Sequence, residues 1–159
     1  MDSIISFNIL SKVIANLKKQ KESIVLVGGC FDILHPGHVI FLEKAKRCAD
    51  ILIVLLESDK KVKKLKGDRR PVHQQKDRAK ILSALRFTDY IVMLPYIDKE
   101  EEYDRIIARI RPDIIATASG YPNKYHQRSA AISRAQLKYV TKIIKNHSSS
   151  RILENETFR

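Results

Sequence analysis

The apolar run IVLV at residues 24–27, which ends in Gly28 and Gly29, restricts the fold of this chain more than any other segment. An uninterrupted apolar run is typical of a strand buried on both faces, as the strands of parallel sheets are. A second such run covers residues 51–56, and the apolar positions between the two runs keep helical spacing over residues 37–48. The order strand, helix, strand predicts a parallel α/β unit.

The same alternation continues along the rest of the chain, and we predict one domain over residues 1–159. Its fold is predicted to be α/β: a doubly wound, Rossmann-like parallel sheet with helices on both faces. An amphipathic helix at residues 1–21 is expected to pack on this domain, and the basic stretch at residues 59–71 is predicted to be a mobile loop. Further helices are predicted at 76–85, 100–110 and 130–137, strands at 90–94, 113–116 and 139–144, and an irregular segment at 117–125.

The balance of charge favours a polyanionic partner. The chain has 30 Lys and Arg residues against 18 Asp and Glu residues, which gives a formal net charge of +12. Such a charge suits nucleotides, phosphorylated metabolites, nucleic acid or an anionic membrane face, and does not choose among them.

Cysteine usage and hydropathy exclude several classes of protein. Cys30 and Cys48 are the two cysteines, and neither belongs to a CxxC pair, so a structural zinc site and a disulfide framework are not expected. Residues 1–20 lack the charge order of a signal peptide, and no apolar run is long enough to cross a bilayer. We expect a cytoplasmic protein that does not bind membranes.

The segment His35-Pro36-Gly37-His38 follows the first predicted strand after five residues and opens the next helix. Ligands of open parallel sheets bind beyond the carboxyl ends of the strands, which is where this segment lies. Glycines let the backbone approach an anion, and a helix start directs unpaired N–H groups and a positive dipole end toward it. The two histidines can donate hydrogen bonds to phosphate oxygens. The segment therefore predicts a phosphate site.

The stretch CFDILHPGH at residues 30–38 resembles the HxGH signature of the nucleotidyltransferase superfamily, the cytidylyltransferase-like enzymes. These enzymes join a nucleoside triphosphate to a phosphorylated small molecule and release pyrophosphate. The resemblance is strongest to the adenylyltransferase domain of bacterial bifunctional ADP-heptose synthases. Besides CFDILHPGH, it is carried by the N-terminal segment and by the stretches SDKKVKKLKGDRRPV and DRAKILSALRFTDYIV. It covers residues 3–95 well and the remainder loosely.

The resemblance implies a set of site residues. His35 and His38 would bind the nucleotide phosphates and stabilise charge at the α-phosphate, in a pocket lined by Gly29, Cys30 and Phe31. Gly37 would belong to the same helix start. For Asp32 two readings stay open: a carboxylate that orients a histidine or holds magnesium, or one that serves the turn itself.

Two basic or hydroxyl-rich segments complete the predicted phosphate site. The stretch at residues 59–71 resembles a family loop that closes over the phosphates, which implies Lys63, Lys66 and Arg70 as ligands, with Lys66 among the catalytic residues. Near the carboxyl terminus, Ser148, Ser149 and Ser150 resemble the family's Ser/Thr-rich motif for the outer phosphates.

One segment departs from the family pattern. The heptose-activating enzymes have a Lys-Gly-Gly-Asp-Tyr type of sequence after the fourth predicted strand, where this chain reads TASGY at residues 117–121. Thr117, Ser119 and Gly120 are predicted to contact the nucleotide here, but without the lysine and the aspartate both the base and the acceptor stay open.

The leading hypothesis is a magnesium-dependent nucleotidyltransferase enzyme that uses ATP and a sugar or polyol phosphate, with no side chain assigned to the metal. A CTP-dependent enzyme of the glycerol-3-phosphate type is the first alternative. A nucleotide- or nucleic-acid-binding protein without turnover is the second. No aromatic residues are interleaved with the basic residues as single-strand stacking requires, so no specific nucleic-acid partner is expected. A homodimer is an expectation from the resemblance alone.

Overall fold

The computed structural model describes residues 3–120, 124–142, 149 and 152–153. Within these residues the chain forms one six-stranded sheet whose paired strands are all parallel, in the order β1-β4-β3-β2-β5-β6. The predicted doubly wound α/β fold is confirmed. The strands are β1 Ile4–Ser6, β2 Ile24–Gly29, β3 Ile51–Leu56, β4 Tyr90–Met93, β5 Ile114–Ser119 and β6 Gln136–Lys142, and the helices are α1 Leu10–Lys19, α2 Pro36–Lys46, α3 Asp59–Lys66, α4 Gln75–Ser83, α5 Glu100–Ile110 and α6 Lys124–Ser133.

Helices cover both faces of this sheet. On one face α1, α5 and α6 pack through apolar side chains such as Leu10, Ile107 and Ala130. On the other face α2 and α4 pack through Leu42 and Leu82. Because β2 and β3 are buried on both faces, their sequences are continuous apolar runs rather than alternating ones.

The N-terminal segment differs from the predicted helix over residues 1–21. Ile4–Ser6 forms an edge strand that pairs with β4, with Ile4 opposite Ile91, and a single turn of 3-10 helix precedes α1. The two adjacent isoleucines favour a strand, but their partner lies more than eighty residues away in the sequence. Local spacing of apolar residues cannot report such a long-range pairing.

The basic stretch is a helix in its first half, so the prediction of a mobile loop over residues 59–71 was wrong. Ser58 caps α3, its hydroxyl oxygen accepting a hydrogen bond from the Lys61 N–H at 3.3 Å, and Val62 is its one buried residue. Gly67, with φ of 95°, ends the helix. A good cap and one apolar anchor therefore order a segment that composition alone assigns to solvent.

The elements after α5 are shifted from their predicted positions. β5 continues to Ser119, so the first three residues of the predicted irregular segment are strand, paired with β6. α6 begins at Lys124 rather than near Ala130, and β6 begins at Gln136. None of the helices in the described ranges has the length and apolar character needed to cross a membrane.

Candidate functional site

The loop between β2 and α2 is held in a tight and unusual backbone path. Phe31 has φ of 43°, a left-handed conformation that costs free energy for a non-glycine residue. Its ring folds back over Gly29, where a Cβ atom would stand 2.9 Å from the ring. Gly29 is therefore required by this close approach, and the loop brings the carboxyl end of β2 against the start of α2.

His35 and His38 lie together at the start of α2. His35 is the N-cap residue with extended backbone, and Pro36 occupies the first helical turn, where its missing N–H costs nothing. The two imidazole rings stack with centroids 3.7 Å apart, and the ring of Phe31 lies 5.1 Å from that of His38. The motif thus presents both histidines side by side at a helix N-terminus.

The environment of His38 favours a neutral imidazole. Burial, together with the nearby charges of His35 and Lys66, lowers the pKa of His38 to about 3. At neutral pH this side chain therefore carries an N–H donor rather than a full positive charge, and the cations of the site must come from elsewhere.

Lys66 and Arg70 supply those cations, and the carboxyl-terminal segment reaches them. The Ser149 hydroxyl oxygen accepts hydrogen bonds from Lys66 Nζ at 3.1 Å and from Arg70 at 2.8 Å. The Arg70 guanidinium also donates to Asp32 in a buried ion pair. Segments that are distant in sequence therefore meet at one point. The sequence analysis assigned Lys66, Arg70 and Ser149 to phosphate binding, and the structure brings these three side chains together. We call His35, His38, Lys66, Arg70 and Ser149 the cradle.

The Asp32 carboxylate is hydrogen-bonded to other parts of the protein. Besides Arg70, it accepts hydrogen bonds from the backbone N–H groups of Val72 at 2.7 Å and His73 at 3.2 Å. The carboxylate therefore ties the loop after β2 to the segment after α3. These contacts match neither reading left open for Asp32, because they are made to a segment about forty residues away in the sequence and not to a histidine ring or to its own turn.

The other predicted site residues are not among the five that form the cradle. Lys63 is exposed and pairs with Asp68 at 3.3 Å rather than with Ser149. Thr117 and Ser119 belong to β5, with Thr117 buried, and Gly120 follows that strand with φ of 106°. Cys30, which follows β2, and Gly37, in the first turn of α2, lie in the same loop and helix start as the histidines. Ser148 and Ser150 lie outside the described residues.

Arg78 is a structural centre whose role the sequence leaves open, since the Asp77-Arg78 pair matches the family pattern but is explained almost as well by helix capping and a salt bridge. Its side chain is fully buried and donates to the carbonyls of Cys30, His73 and Glu57 and to the carboxylate of Asp59. One guanidinium thus joins the loops after β2 and β3 to the segment before α4. Nothing in local spacing distinguishes such an arginine from a surface one.

The described residues contain no group of three or more His, Cys, Asp or Glu side chains arranged to hold a metal ion. Asp32, the carboxylate nearest the histidines in the sequence, is engaged as described above. A hard cation such as Mg²⁺ takes oxygen ligands and commonly binds through substrate phosphates with few protein groups. The residues present therefore fit magnesium only as a companion of bound phosphates.

Comparison with known proteins finds the cytidylyltransferase-like family over residues 26–155. The chain is 38% identical over 148 residues to the bifunctional protein HldE of Helicobacter pylori strain J99, covering 91% of this chain and 30% of that protein. It is 42% identical over 123 residues to HldE of Wolinella succinogenes, covering 77% of this chain and 25% of that protein. The chain thus spans less than a third of the length of these curated relatives.

A solved structure supports the fold. The crystal structure of the lipopolysaccharide core biosynthesis protein from Thermoplasma volcanium superposes with a TM-score of 0.60, at 23% identity, over 76% of this chain and 96% of that one. At this identity the likeness shows the fold and nothing further. The shared family and fold confirm the resemblance that the HPGH segment predicted.

Proposed function

The chain belongs to the cytidylyltransferase-like family of nucleotidyltransferases, and from that premise we propose that it transfers AMP from ATP to a sugar phosphate, with release of pyrophosphate. A heptose phosphate is the first acceptor to test, because the HldE proteins are similar to this chain over most of its length and the family resemblance is to ADP-heptose synthases.

One observation carries this proposal: the convergence of Lys66, Arg70 and Ser149 beside the paired histidines at the start of α2. A triphosphate carries several negative charges, and a helix N-terminus with adjacent cations is a favourable place for them. The same atoms give no advantage to a neutral ligand. The cradle is therefore suited to the phosphates of a nucleotide.

The proposed chemistry follows from the groups available. An oxygen of the acceptor phosphate attacks the α-phosphorus of ATP, a new P–O–P bond forms, and the bond to pyrophosphate breaks, with its electron pair leaving on pyrophosphate. A phosphate monoester is already ionised at neutral pH, so no general base is required. The chain would contribute position and charge stabilisation: the N–H groups of His35 and His38 at the α-phosphate, and Lys66 and Arg70 at the departing phosphates.

Magnesium is part of the proposal as the companion of the triphosphate. When bound, it would neutralise charge on the phosphates and hold them in a defined geometry. We assign no side chain to it.

A pyrophosphate-release screen tests the proposal. The four nucleoside triphosphates are crossed with a panel of phosphorylated sugars and alditols that includes heptose 1-phosphate and glycerol 3-phosphate. We expect release with ATP and a sugar phosphate, and none when either is omitted. Release with CTP and glycerol 3-phosphate would instead establish the cytidylyltransferase alternative, which the TASGY departure at residues 117–121 keeps open.

A further inference from the structure

A basic groove lies at the amino end of the sheet, whereas the cradle lies at the carboxyl end. It is formed by α1, by the ends of α5 and α6, and by the residues that lead from these two helices into β5 and β6. Its volume of about 810 Å³ is within the range of ligand pockets, about 300–1,000 Å³. The groove is therefore large enough for an organic molecule and not only for a single small ion.

Positive charge predominates in this groove. Among the described residues that line it, four side chains are cationic and one is a carboxylate, Asp113. The cationic residues are Lys18, Arg109, Arg111 and Arg134. Asp113 accepts a hydrogen bond from the backbone N–H of Ile24 at 2.7 Å and lies 3.8 Å from Lys18 Nζ. The lysine and the carboxylate thus pair with each other, and the charges of the three arginines remain.

The guanidinium groups of Arg109, Arg111 and Arg134 make no hydrogen bond or ion pair to any other residue that the structure describes. Like charges around one groove repel one another, and an anion that binds between them relieves the repulsion. The planar fork of a guanidinium also donates two parallel hydrogen bonds to a phosphate or a carboxylate. The groove therefore offers both charge and donors to an anionic ligand.

Two of these arginines have a backbone conformation that favours glycine. Arg111 caps α5 with φ of 49°, and Arg134 directly follows α6 with φ of 58°. This left-handed conformation costs free energy for a residue with a Cβ atom, and glycine commonly adopts it at helix ends. A cation recovers part of the cost by its interaction with the helix dipole. Glycine would therefore relieve the backbone at both positions but would remove charge from the groove.

A third basic residue with the same backbone conformation does not line the groove. Lys21 lies just after α1 with φ of 58°, and its N–H donates to the carbonyl of Lys18 at 3.1 Å. If the helix dipole were the whole reason for basic residues at these positions, Lys21, Arg111 and Arg134 would be equivalent. Ligand binding instead separates Lys21 from the two arginines, which makes Lys21 a matched control.

We propose that the basic groove binds a small molecule that carries two or more phosphate groups, with Arg109, Arg111 and Arg134 as its ligands. Several phosphates match three cations in charge, and Ile132, which lines the groove and is 47% exposed, offers an apolar contact to an organic part of the molecule. The groove shares no residue with the cradle, so this site does not depend on the proposed function. An acidic peptide is the competing occupant.

The first arm of the test is calorimetric titration of the full chain with inorganic tripolyphosphate at low salt. We expect one site in the groove besides the one in the cradle. Arg111→Gly and Arg134→Gly should each weaken the groove site roughly tenfold, since a charge-assisted contact is lost, whereas Lys21→Gly should leave it unchanged. Lys66→Ala should weaken the cradle site alone.

The outcomes of this titration separate the two proposals. If the cradle binds no phosphate, a single site that the two arginine variants weaken remains, and the groove proposal stands without the proposed function. The groove proposal is wrong if neither arginine variant weakens any site, or if Lys21→Gly loses as much affinity as they do. It is also wrong if a hexaglutamate peptide binds more tightly than tripolyphosphate.

The second arm measures melting temperatures with and without tripolyphosphate. Without it, Arg111→Gly, Arg134→Gly and Lys21→Gly should keep the melting temperature of the wild type or raise it by up to about 4 °C, because glycine relieves the left-handed backbone. Added tripolyphosphate should raise the melting temperature of the wild type and of Lys21→Gly more than that of the arginine variants. If the ligand-free arginine variants melt well below Lys21→Gly, or if tripolyphosphate raises all four melting temperatures equally, the arginines serve the fold and the proposal is wrong.

Discussion

The cradle and a cavity of about 370 Å³, lined by β2, β3, α3, α5 and α6, lie on either side of the loop after β2. The two regions are built in opposite ways. The cradle takes its two histidines from one contiguous motif and gathers cations from a distant segment, Lys66 and Arg70, around the Ser149 hydroxyl. The cavity takes its lining from several elements with no shared motif and contains two carboxylates, Glu57 and Glu100, beside an apolar floor. The cradle therefore offers positive charge and hydrogen-bond donors, whereas the cavity offers an apolar floor with a few fixed polar groups.

The first prediction compares Asp32, which pairs with Arg70 of the cradle, with Glu57, which lines the cavity. Asp32 is 1% exposed and Arg70 7% exposed, and removing one partner of such a buried pair leaves a charge without compensation. Asp32→Asn should lower the free energy of unfolding by about 3 kcal/mol. Glu57→Gln keeps a hydrogen-bond acceptor for Tyr103 and should cost about 1 kcal/mol.

Denaturant titration of both variants measures this difference. Asp68→Asn is the control for Asp32→Asn, because Asp68 is exposed and pairs only with Lys63 among the described residues. That variant should stay within about 0.5 kcal/mol of the wild type. Equal losses for Asp32→Asn and Asp68→Asn would contradict the structural role of the buried pair.

The second prediction concerns His38. Replacing it with Ala removes a group proposed to stabilise charge at the α-phosphate, so turnover should fall by on the order of a hundredfold or more while the melting temperature stays near that of the wild type. Steady-state rates and thermal unfolding are measured on the same samples. His73→Ala is the matched control, since this exposed residue contributes only backbone groups to Asp32 and Arg78. A folded His38→Ala variant with an unaltered rate would show that His38 takes no part in the reaction.

The third prediction separates two lysines that composition treats alike. Lys66 contacts Ser149, whereas Lys63 points to Asp68. Lys66→Ala should weaken ATP binding about tenfold, as loss of one charge-assisted contact does, and Lys63→Ala less than about twofold. Calorimetry with ATP, and with adenosine as the ligand that lacks phosphates, measures both. Equal losses of affinity for ATP and adenosine in Lys66→Ala would show that Lys66 makes no specific contact with the phosphates.

The fourth prediction is a pH dependence of stability. His38 in the folded chain stays neutral down to about pH 3, whereas an unfolded histidine takes up a proton near pH 6.5. Because the unfolded state binds more protons between these values, the free energy of unfolding should fall as the pH drops through that window, by at most about 1.4 kcal/mol per pH unit for this group. His38→Gln should flatten the fall.

His126, which lines the cavity, is a second histidine for the same measurement. Burial also lowers the pKa of His126, which lines the cavity, so His126→Gln should change the slope in the same direction. Chemical denaturation between pH 4 and 7 measures both variants against exposed His73→Gln. A steeper fall in His38→Gln than in the wild type would contradict the buried, neutral histidine.

The sequence predicted the parts of the fold whose signals are local. The apolar runs at residues 24–27 and 51–56 became central strands, and the HPGH segment opened a helix as expected. Ile4–Ser6 was predicted as helix because a three-residue edge strand leaves no periodic signal of its own. α3 was predicted as a loop because its lysines outweighed one Ser58 cap and one buried valine.

The same rule applies to the site. The cradle could be predicted because its histidines are adjacent in sequence and the family resemblance supplied Lys66, Arg70 and the serine segment. Glu57, Tyr103 and Ser129 come from three elements and carry no motif, so only the folded chain brings them to one wall. Arg78 was missed for the same reason, since its importance lies in carbonyl groups of distant loops.

The cradle is proposed to bind the triphosphate of one nucleotide, and calorimetric titration of the full chain with ATP and magnesium tests this most directly. We predict one saturable site per chain that is weakened in His38→Ala and Lys66→Ala and retained in Glu57→Gln, with DNA oligonucleotides binding weakly and with steep salt dependence. The contradicting result is tight oligonucleotide binding at physiological salt that survives His35→Ala and His38→Ala, with no saturation by any triphosphate; the basic surface, rather than the cradle, would then be the functional region.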